Sequence, residues 1–221
     1  MAYEIELKAW VDDVAAVELR MNEAAEFLFS YTKEDVYWYS CGTAAFPSGV
    51  RLRKESRTFK TGAAETCLFV TYKIKETRNG IEVNDEKEFR ITSAPDAAAA
   101  TAASTPDGRP APDAAAPFET FLALAGFTAG FAKKKAGKCW LYTRAGVCGE
   151  GRARFPSITA ELSLVDGLGH FLELETIAPD DKPATVNAAR DALLDLLKIA
   201  GIPPARIESR YYSEMLQQQT Q

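Results

Sequence analysis

Charged and aliphatic residues alternate strictly near the start of the chain, in Glu4-Ile5-Glu6-Leu7-Lys8. Successive side chains of a β-strand point to opposite faces, so Glu4, Glu6 and Lys8 share one face while Ile5 and Leu7 share the other. Like charges two positions apart return in Arg51-Leu52-Arg53, Lys73-Ile74-Lys75, Glu86-Lys87-Glu88 and Glu173-Leu174-Glu175. A single such strand turns its apolar face to a core and its charged face to water. Five of them, with both signs of charge, point to a sheet whose charged faces meet. One use for such faces is to line the inside of a barrel that holds something highly charged.

The rest of the chain supports a mainly β, α+β fold. Residues 3–9, 35–39, 50–57, 66–76, 81–91, 131–135, 138–144, 157–165 and 171–177 read as strands, and Arg78-Asn79-Gly80 is a hairpin signal. Val11 to Phe29 reads as a helix, with Val14, Val17, Met21, Ala25 and Leu28 at helical spacing after Asp12 or Asp13. Phe118 to Ala125, ended by Gly126, and Pro183 to Ala200, closed by Gly201, read as two more helices. The tail from Arg206 to Leu216 carries a last aromatic segment, Tyr211-Tyr212. Short connections imply antiparallel pairing, and closing the sheet removes its edges. The expectation is an eight-stranded antiparallel β-barrel tunnel with flanking helices, in one domain over 1–216. An eight-stranded barrel leaves room for side chains or one small ligand. Residues 93–117, rich in Ala with Pro, Asp, Thr and Ser, bury too little apolar surface to order themselves and read as a flexible insert.

With 221 residues and 47% hydrophobic content, the chain can form a sizeable core. Its net charge of −5 argues against a nucleic-acid partner. Cys41, Cys67, Cys139 and Cys148 form no CxxC pair and stand beside a single histidine, His170, so a Cys/His zinc site is not expected. No stretch approaches a membrane span and the start lacks a signal pattern, so a soluble cytoplasmic protein without a membrane partner is the expectation.

Turned inward, the alternating faces collect a basic set, Lys8, Arg51, Arg53, Lys73, Lys75, Lys133 and Lys135. They also collect an acidic set, Glu4, Glu6, Glu86, Glu88, Glu161, Glu173 and Glu175. Enclosing these without partners is costly, because desolvation can exceed pair attraction. Arg and Lys match phosphate oxygens, and clustered carboxylates attract hard divalent cations such as Mg²⁺ or Mn²⁺. The two sets together suit a metal-triphosphate pocket. The competing reading, solvated outer faces with surface ion pairs, explains any one pair better than it explains all of them.

The ordered set of motifs resembles the CYTH superfamily, the triphosphate tunnel metalloenzymes. Glu4-Ile5-Glu6-Leu7-Lys8 is similar to its N-terminal ExExK signature. Arg51-Leu52-Arg53 resembles its basic strand, Thr71 to Lys75 its lysine strand, and Glu86-Lys87-Glu88 its acidic partner. Gly126-Phe127 followed by Lys133 and Lys135 resembles its GF and K-x-R segments. Gly167 to Glu175, GLGHFLELE, is similar to the GLGxFxExE signature of the class IV adenylate cyclase branch, and Tyr212 to Leu216 resembles a terminal SYxELL. Lys135 stands where an Arg is usual, and Lys134 and Lys138 compete for that register. Ser163 stands where the family often has an Asp, with Glu161 on the same strand face able to substitute.

The resemblance implies an eight-stranded tunnel with a triphosphate inside. Phosphate binding then falls to Lys8, Arg51, Arg53, Lys73, Lys75, Lys133 and Lys135. Metal binding, by Mg²⁺ or Mn²⁺, falls to Glu4, Glu6, Glu173 and Glu175, with Glu86, Glu88 and Glu161 as further ligands. Glu4, Glu6, Lys8 and Lys75 stand nearest the chemical step. The implied reaction is displacement at phosphorus, most simply a class IV adenylate cyclase reaction on ATP that yields cyclic AMP and pyrophosphate. Hydrolysis of inorganic triphosphate, thiamine triphosphate or a nucleotide shares the same tunnel, and non-catalytic sensing of a phosphorylated ligand is a third reading. An acidic homodimer would suit the family. His170, in the GLG turn, is read as a surface residue, and the tryptophans and the aromatics of Phe27 to Tyr39 as core or interface residues more readily than as base-stacking groups.

Overall fold

The computed structural model describes residues 2–40, 49–78, 80–91, 115–143 and 157–219. Most of the expected insert, Asn79 of the hairpin signal, and Cys41 and Cys148 lie outside the described residues. Eight strands form a closed antiparallel barrel: β1 (Tyr3–Trp10), β2 (Glu26–Ser40), β3 (Val50–Phe59), β4 (Ala64–Arg78), β5 (Ile81–Arg90), β6 (Phe127–Thr143), β7 (Ser157–Val165) and β8 (Gly169–Ala178). The order around the barrel is β1-β5-β4-β3-β2-β6-β7-β8, and β1 closes it by pairing with both β5 and β8. Four helices accompany it: α1 (Val14–Ala24), α2 (Ala115–Leu124), α3 (Pro183–Ile199) and α4 (Tyr212–Gln219). The expected α+β, mainly β barrel is the observed architecture.

The apolar faces of the strands point outward, under the helices. Ile5 and Leu7 of β1, Ile158, Ala160 and Leu162 of β7, and Leu172 and Leu174 of β8 pack with Val17 and Met21 of α1 and with Leu193, Leu196 and Leu197 of α3. Each large aliphatic side chain buried this way contributes about 1.5–3 kcal/mol. Opposite, Trp38, Val50, Leu52, Leu68 and Val70 pack around Leu122 of α2. A third cluster, Val165, Phe171 and Met215, with Trp10 and Tyr212 packed against it, joins α4 to the end of β7 and the start of β8. Because the oil lies outside the wall, the charged faces are left to the interior.

Two segments differ from the sequence reading. The first helix stops at Ala24, after an N-cap in which Asp13 accepts from the Ala16 amide at 3.0 Å. The chain from Glu26 onward is not helix but the first half of a 15-residue strand that pairs with β3 and β6. Phe27 packs edge-on against Trp140, and Phe29 against Phe59. Cross-strand aromatic pairs of this kind override a helical spacing of modest strength. The two strands expected at 131–135 and 138–144 are one strand running through Gly137. That glycine is no turn. A Cβ there would meet the Leu162 carbonyl oxygen at 2.3 Å, so its absence lets β7 lie close. The tail segment at Tyr211-Tyr212 opens α4.

Candidate functional site

The interior of the barrel is an ionic cavity of about 540 Å³. All seven basic and all seven acidic candidates from the sequence line it. Lys133 and Lys135 turn inward, while Lys134 is exposed beside Glu34 and Lys138 bonds Glu18 of α1 on the outer face. The sequence reading missed Lys33, Glu55, Arg57 and Glu82, which also line the cavity, and buried Asp35 and Asn84. The signal for Glu55, Arg57, Glu82 and Asn84 was present. Arg51-x-Arg53-x-Glu55-x-Arg57 and Glu82-x-Asn84-x-Glu86-x-Glu88 continue the same period of two.

These groups sort into ion clusters. Lys73 sits where three carboxylates converge: it bonds Glu4, lies 2.7 Å from Glu86 Oε2 and 3.9 Å from Glu6 Oε2. Asn84 donates to Glu4 at 3.1 Å, and Lys8 pairs with Glu82 at 3.1 Å. Arg51 reaches Glu88 at 3.0 Å and the Thr71 hydroxyl at 2.9 Å, and that hydroxyl donates to Glu88. Arg53 grips buried Asp35 through a fork of 2.7 and 2.9 Å, and Lys133 approaches the same carboxylate at 3.3 Å. Glu161 is held by Lys33 at 2.5 Å and Lys135 at 2.9 Å, and Lys135 also bonds Glu173 at 2.5 Å. Tyr212 of α4 donates to Glu173, and its ring lies 5.0 Å from the Lys8 ammonium and 4.7 Å from that of Lys133.

The electrostatics are uneven. Burial, then the repulsion of Glu6, pushes Glu175 up to about 7. Burial raises Glu4 well above the usual carboxylate range, with Glu175 and Glu6 adding to it against the pull of Lys73. Glu6 is raised by burial and by Glu82. Burial acts on Glu173 and Glu86 too, but it is outweighed at Glu173 by Lys135 together with Lys133, and at Glu86 by Lys73 together with Arg51 and a hydrogen bond to Glu4, which hold each at about 2. Lys133 is pulled below the usual lysine range by burial. In the Glu4–Glu6–Glu175 corner, burial and mutual repulsion thus outweigh the pull of the shared cation, Lys73, and favour the protonated carboxyls. On the basic side, Lys75 has no carboxylate within 4 Å among the described residues and rests over the Tyr211 ring at 4.5 Å. His170 does not line the cavity.

The same geometry tests whether a divalent cation fits. Among the described residues no three acidic side chains are already gathered at metal-ligand spacing. Around Lys73, however, three carboxylates converge on one cationic nitrogen, next to a fourth, Glu175, that is short of positive charge. An all-oxygen donor set of this charge fits Mg²⁺ or Mn²⁺ once the lysine is drawn away. Ser163 is buried, and among the described residues its hydroxyl has no hydrogen-bond partner. Glu161 is the acid that β7 presents to the cavity.

Fold and site define a closed antiparallel barrel with an ion-lined tunnel. A model of the CYTH domain matches residues 2–212, and the chain belongs to the CYTH family. None of the curated proteins compared with this chain matches it. Among solved structures, the PH1819 protein from Pyrococcus horikoshii OT3 is similar at 24% identity and a TM-score of 0.67, over 98% of this chain and 99% of that one. A candidate adenylate cyclase from Vibrio parahaemolyticus is similar at 17% identity and a TM-score of 0.62, over 97% and 98%. A protein from Hippeastrum, described as a candidate adenylyl cyclase with a dominant triphosphatase activity, is similar at 14% identity and a TM-score of 0.52, over 99% and 96%. These likenesses concern the fold. Among the described residues no helix is long and apolar enough to cross a membrane.

Proposed function

We propose that the protein is a divalent-metal-dependent enzyme acting on a triphosphate in the barrel interior, in the manner of a class IV adenylate cyclase. The observation that carries this reading is the pairing of charge sets inside one enclosed cavity: a cation, Lys75, with no carboxylate within 4 Å among the described residues, and a corner where Glu4, Glu6 and Glu86 converge on the single ammonium of Lys73. A phosphate chain laid along Lys75, Lys8, Lys73, Arg51, Arg53, Lys133 and Lys135 draws those cations from their carboxylates. Arg51 and Arg53 offer forks to phosphate oxygens, and the lysines act as point charges. Glu4, Glu6 and Glu175, with Glu86 and Glu88, would hold Mg²⁺ or Mn²⁺. Glu173 and Glu161 complete the acidic lining once Lys135 turns to phosphate. When bound, such a cation would neutralise charge on the phosphates and polarise the attacking oxygen.

In the cyclase reaction the ribose 3′-hydroxyl gives its proton to water and its oxygen bonds to the α-phosphorus as the bond from that phosphorus to the α,β-bridging oxygen breaks. Pyrophosphate leaves with its charge held by lysine and arginine. Hydrolysis at the terminal phosphorus is the second reading. The Hippeastrum relative, with its described triphosphatase activity, favours keeping it. The two differ in which phosphorus lies beside the carboxylate corner. Incubation with ATP and, separately, inorganic triphosphate, each with Mg²⁺ or Mn²⁺, and chromatography of the products tests the proposal. Cyclic AMP with pyrophosphate supports the cyclase, and orthophosphate alone supports the hydrolase. Binding of both ligands without turnover refutes the enzyme reading and leaves a sensor.

A further inference from the structure

The cavity wall is mostly ionic, and its aromatic side chains fall in two groups, Tyr211 and Tyr212 of the tail and a second group on the strands. Tyr37 and Tyr39 near the end of β2, and Phe131 of β6, line it together, with Tyr37 and Phe131 ring centroids 5.4 Å apart and tilted at 44°. The sequence makes a recess for Tyr39. Gly49 and Gly130 flank it, and a Cβ on either would come within 2.9 Å of the tyrosine ring. Gly49 also takes φ +72°, a conformation that favours glycine. Gly130 of β6 and Gly49, just before β3, thus give up side chains so that one ring lies back against the wall.

The rings differ in what covers their faces. Tyr212 carries the ammonium groups of Lys8 and Lys133, and Tyr211 carries that of Lys75. Among the described residues no cation lies over Tyr37, Tyr39 or Phe131. Yet Tyr37 stands in the field of Lys133, Arg51 and Lys75, the cations offered to phosphate. A planar apolar surface therefore begins where the basic lining ends. Tyr39 remains 37% exposed.

Resting on the triphosphate reading above, we propose that Tyr39, with Tyr37 and Phe131, forms a stacking shelf for the planar heteroaromatic group of an organic triphosphate, which sets the ligand class apart from inorganic triphosphate. A base on an aromatic side chain gains enough to change affinity by roughly 10-fold or more, whatever its hydrogen-bonding edge. The shelf discriminates by the presence of the ring and leaves its identity open.

The test is calorimetric titration of the full chain with α,β-methylene ATP and with inorganic triphosphate, each with Mg²⁺. In Tyr39→Ala the dissociation constant for the nucleotide analogue rises ~10-fold, while that for inorganic triphosphate is unchanged. Tyr39→Phe, which keeps the ring, restores nucleotide affinity. Gly130→Ala, whose methyl displaces the ring, weakens the nucleotide selectively. Equal weakening of both ligands, or of neither, overturns the shelf and leaves the triphosphate site standing. Failure of both ligands to bind the unaltered protein overturns the triphosphate reading and the shelf with it.

Discussion

Two buried carboxylates illustrate opposite consequences of the same enclosure. Burial alone would raise Asp35, but Arg53 and then Lys133 outweigh it and hold it well below the usual range. Its folded pKa is depressed, so its stabilisation is present above the unfolded value, about 3.9, and is lost as pH falls through the folded one. Asp35→Asn should cost roughly 3–5 kcal/mol at neutral pH, because Arg53 and Lys133 are left buried without their anion. Urea unfolding checks this, and the deficit should shrink in acid. Glu175 behaves in reverse. Its pKa stands at about 7, so the folded state retains a proton that the unfolded chain releases near ~4.3. Stability contributed by this group falls as pH rises across that window. Glu175→Gln should therefore raise the melting temperature at pH 8 but not at pH 4, and weaken divalent-cation binding. A lower melting temperature at pH 8 would sink the argument. The paired like charges were legible in sequence because they recur with a period of two. Asp35 was not, because Lys33-Glu34-Asp35 places charge on both faces and hides the inward one.

At the scale of elements, the strands with clean alternation were legible to within a few residues, and those without it were not. The first half of β2 carries Phe27, Leu28 and Phe29 in succession, so neither period is marked, and its strand state follows from pairing with β3 and β6. β6 was read as two strands parted at Ala136-Gly137, because a glycine inside a strand pattern weakens it. The actual role of Gly137 is close approach to Leu162 and Ser163 of β7. Gly137→Ala should therefore destabilise the barrel by about 1–3 kcal/mol through overpacking, although alanine has the smallest possible side chain beyond glycine. Denaturant titration of this variant beside Gly62→Ala separates the causes. Gly62 has open space around its Cβ position and a positive φ, so its loss reports backbone strain alone. A smaller loss at 137 than at 62 would contradict the close-packing account.

For the molecule as a whole, the inverted wall links the two kinds of ligand proposed for it. Among the described residues the cavity lining holds nine basic and nine acidic side chains, most of them satisfied by one another. A polyanion that takes lysines alone leaves buried carboxylates uncompensated, and a divalent cation that takes carboxylates alone leaves buried ammonium groups uncompensated. Binding of both restores neutrality on each side. The two should therefore bind with positive coupling, each raising the affinity of the other by the same factor, at least ~10-fold on the scale of ordinary linkage energies. Titration of inorganic triphosphate with and without saturating Mg²⁺, and of Mg²⁺ with and without triphosphate, measures both sides of that cycle once chelation in free solution is subtracted. Glu4→Gln with Glu6→Gln should diminish the coupling while leaving the metal-free affinity for triphosphate equal or higher, since two competitors for Lys73 lose their charge. Independent binding in the unaltered protein would mean that the interior ion pairs are not exchanged, and that the barrel tolerates one ligand without the other.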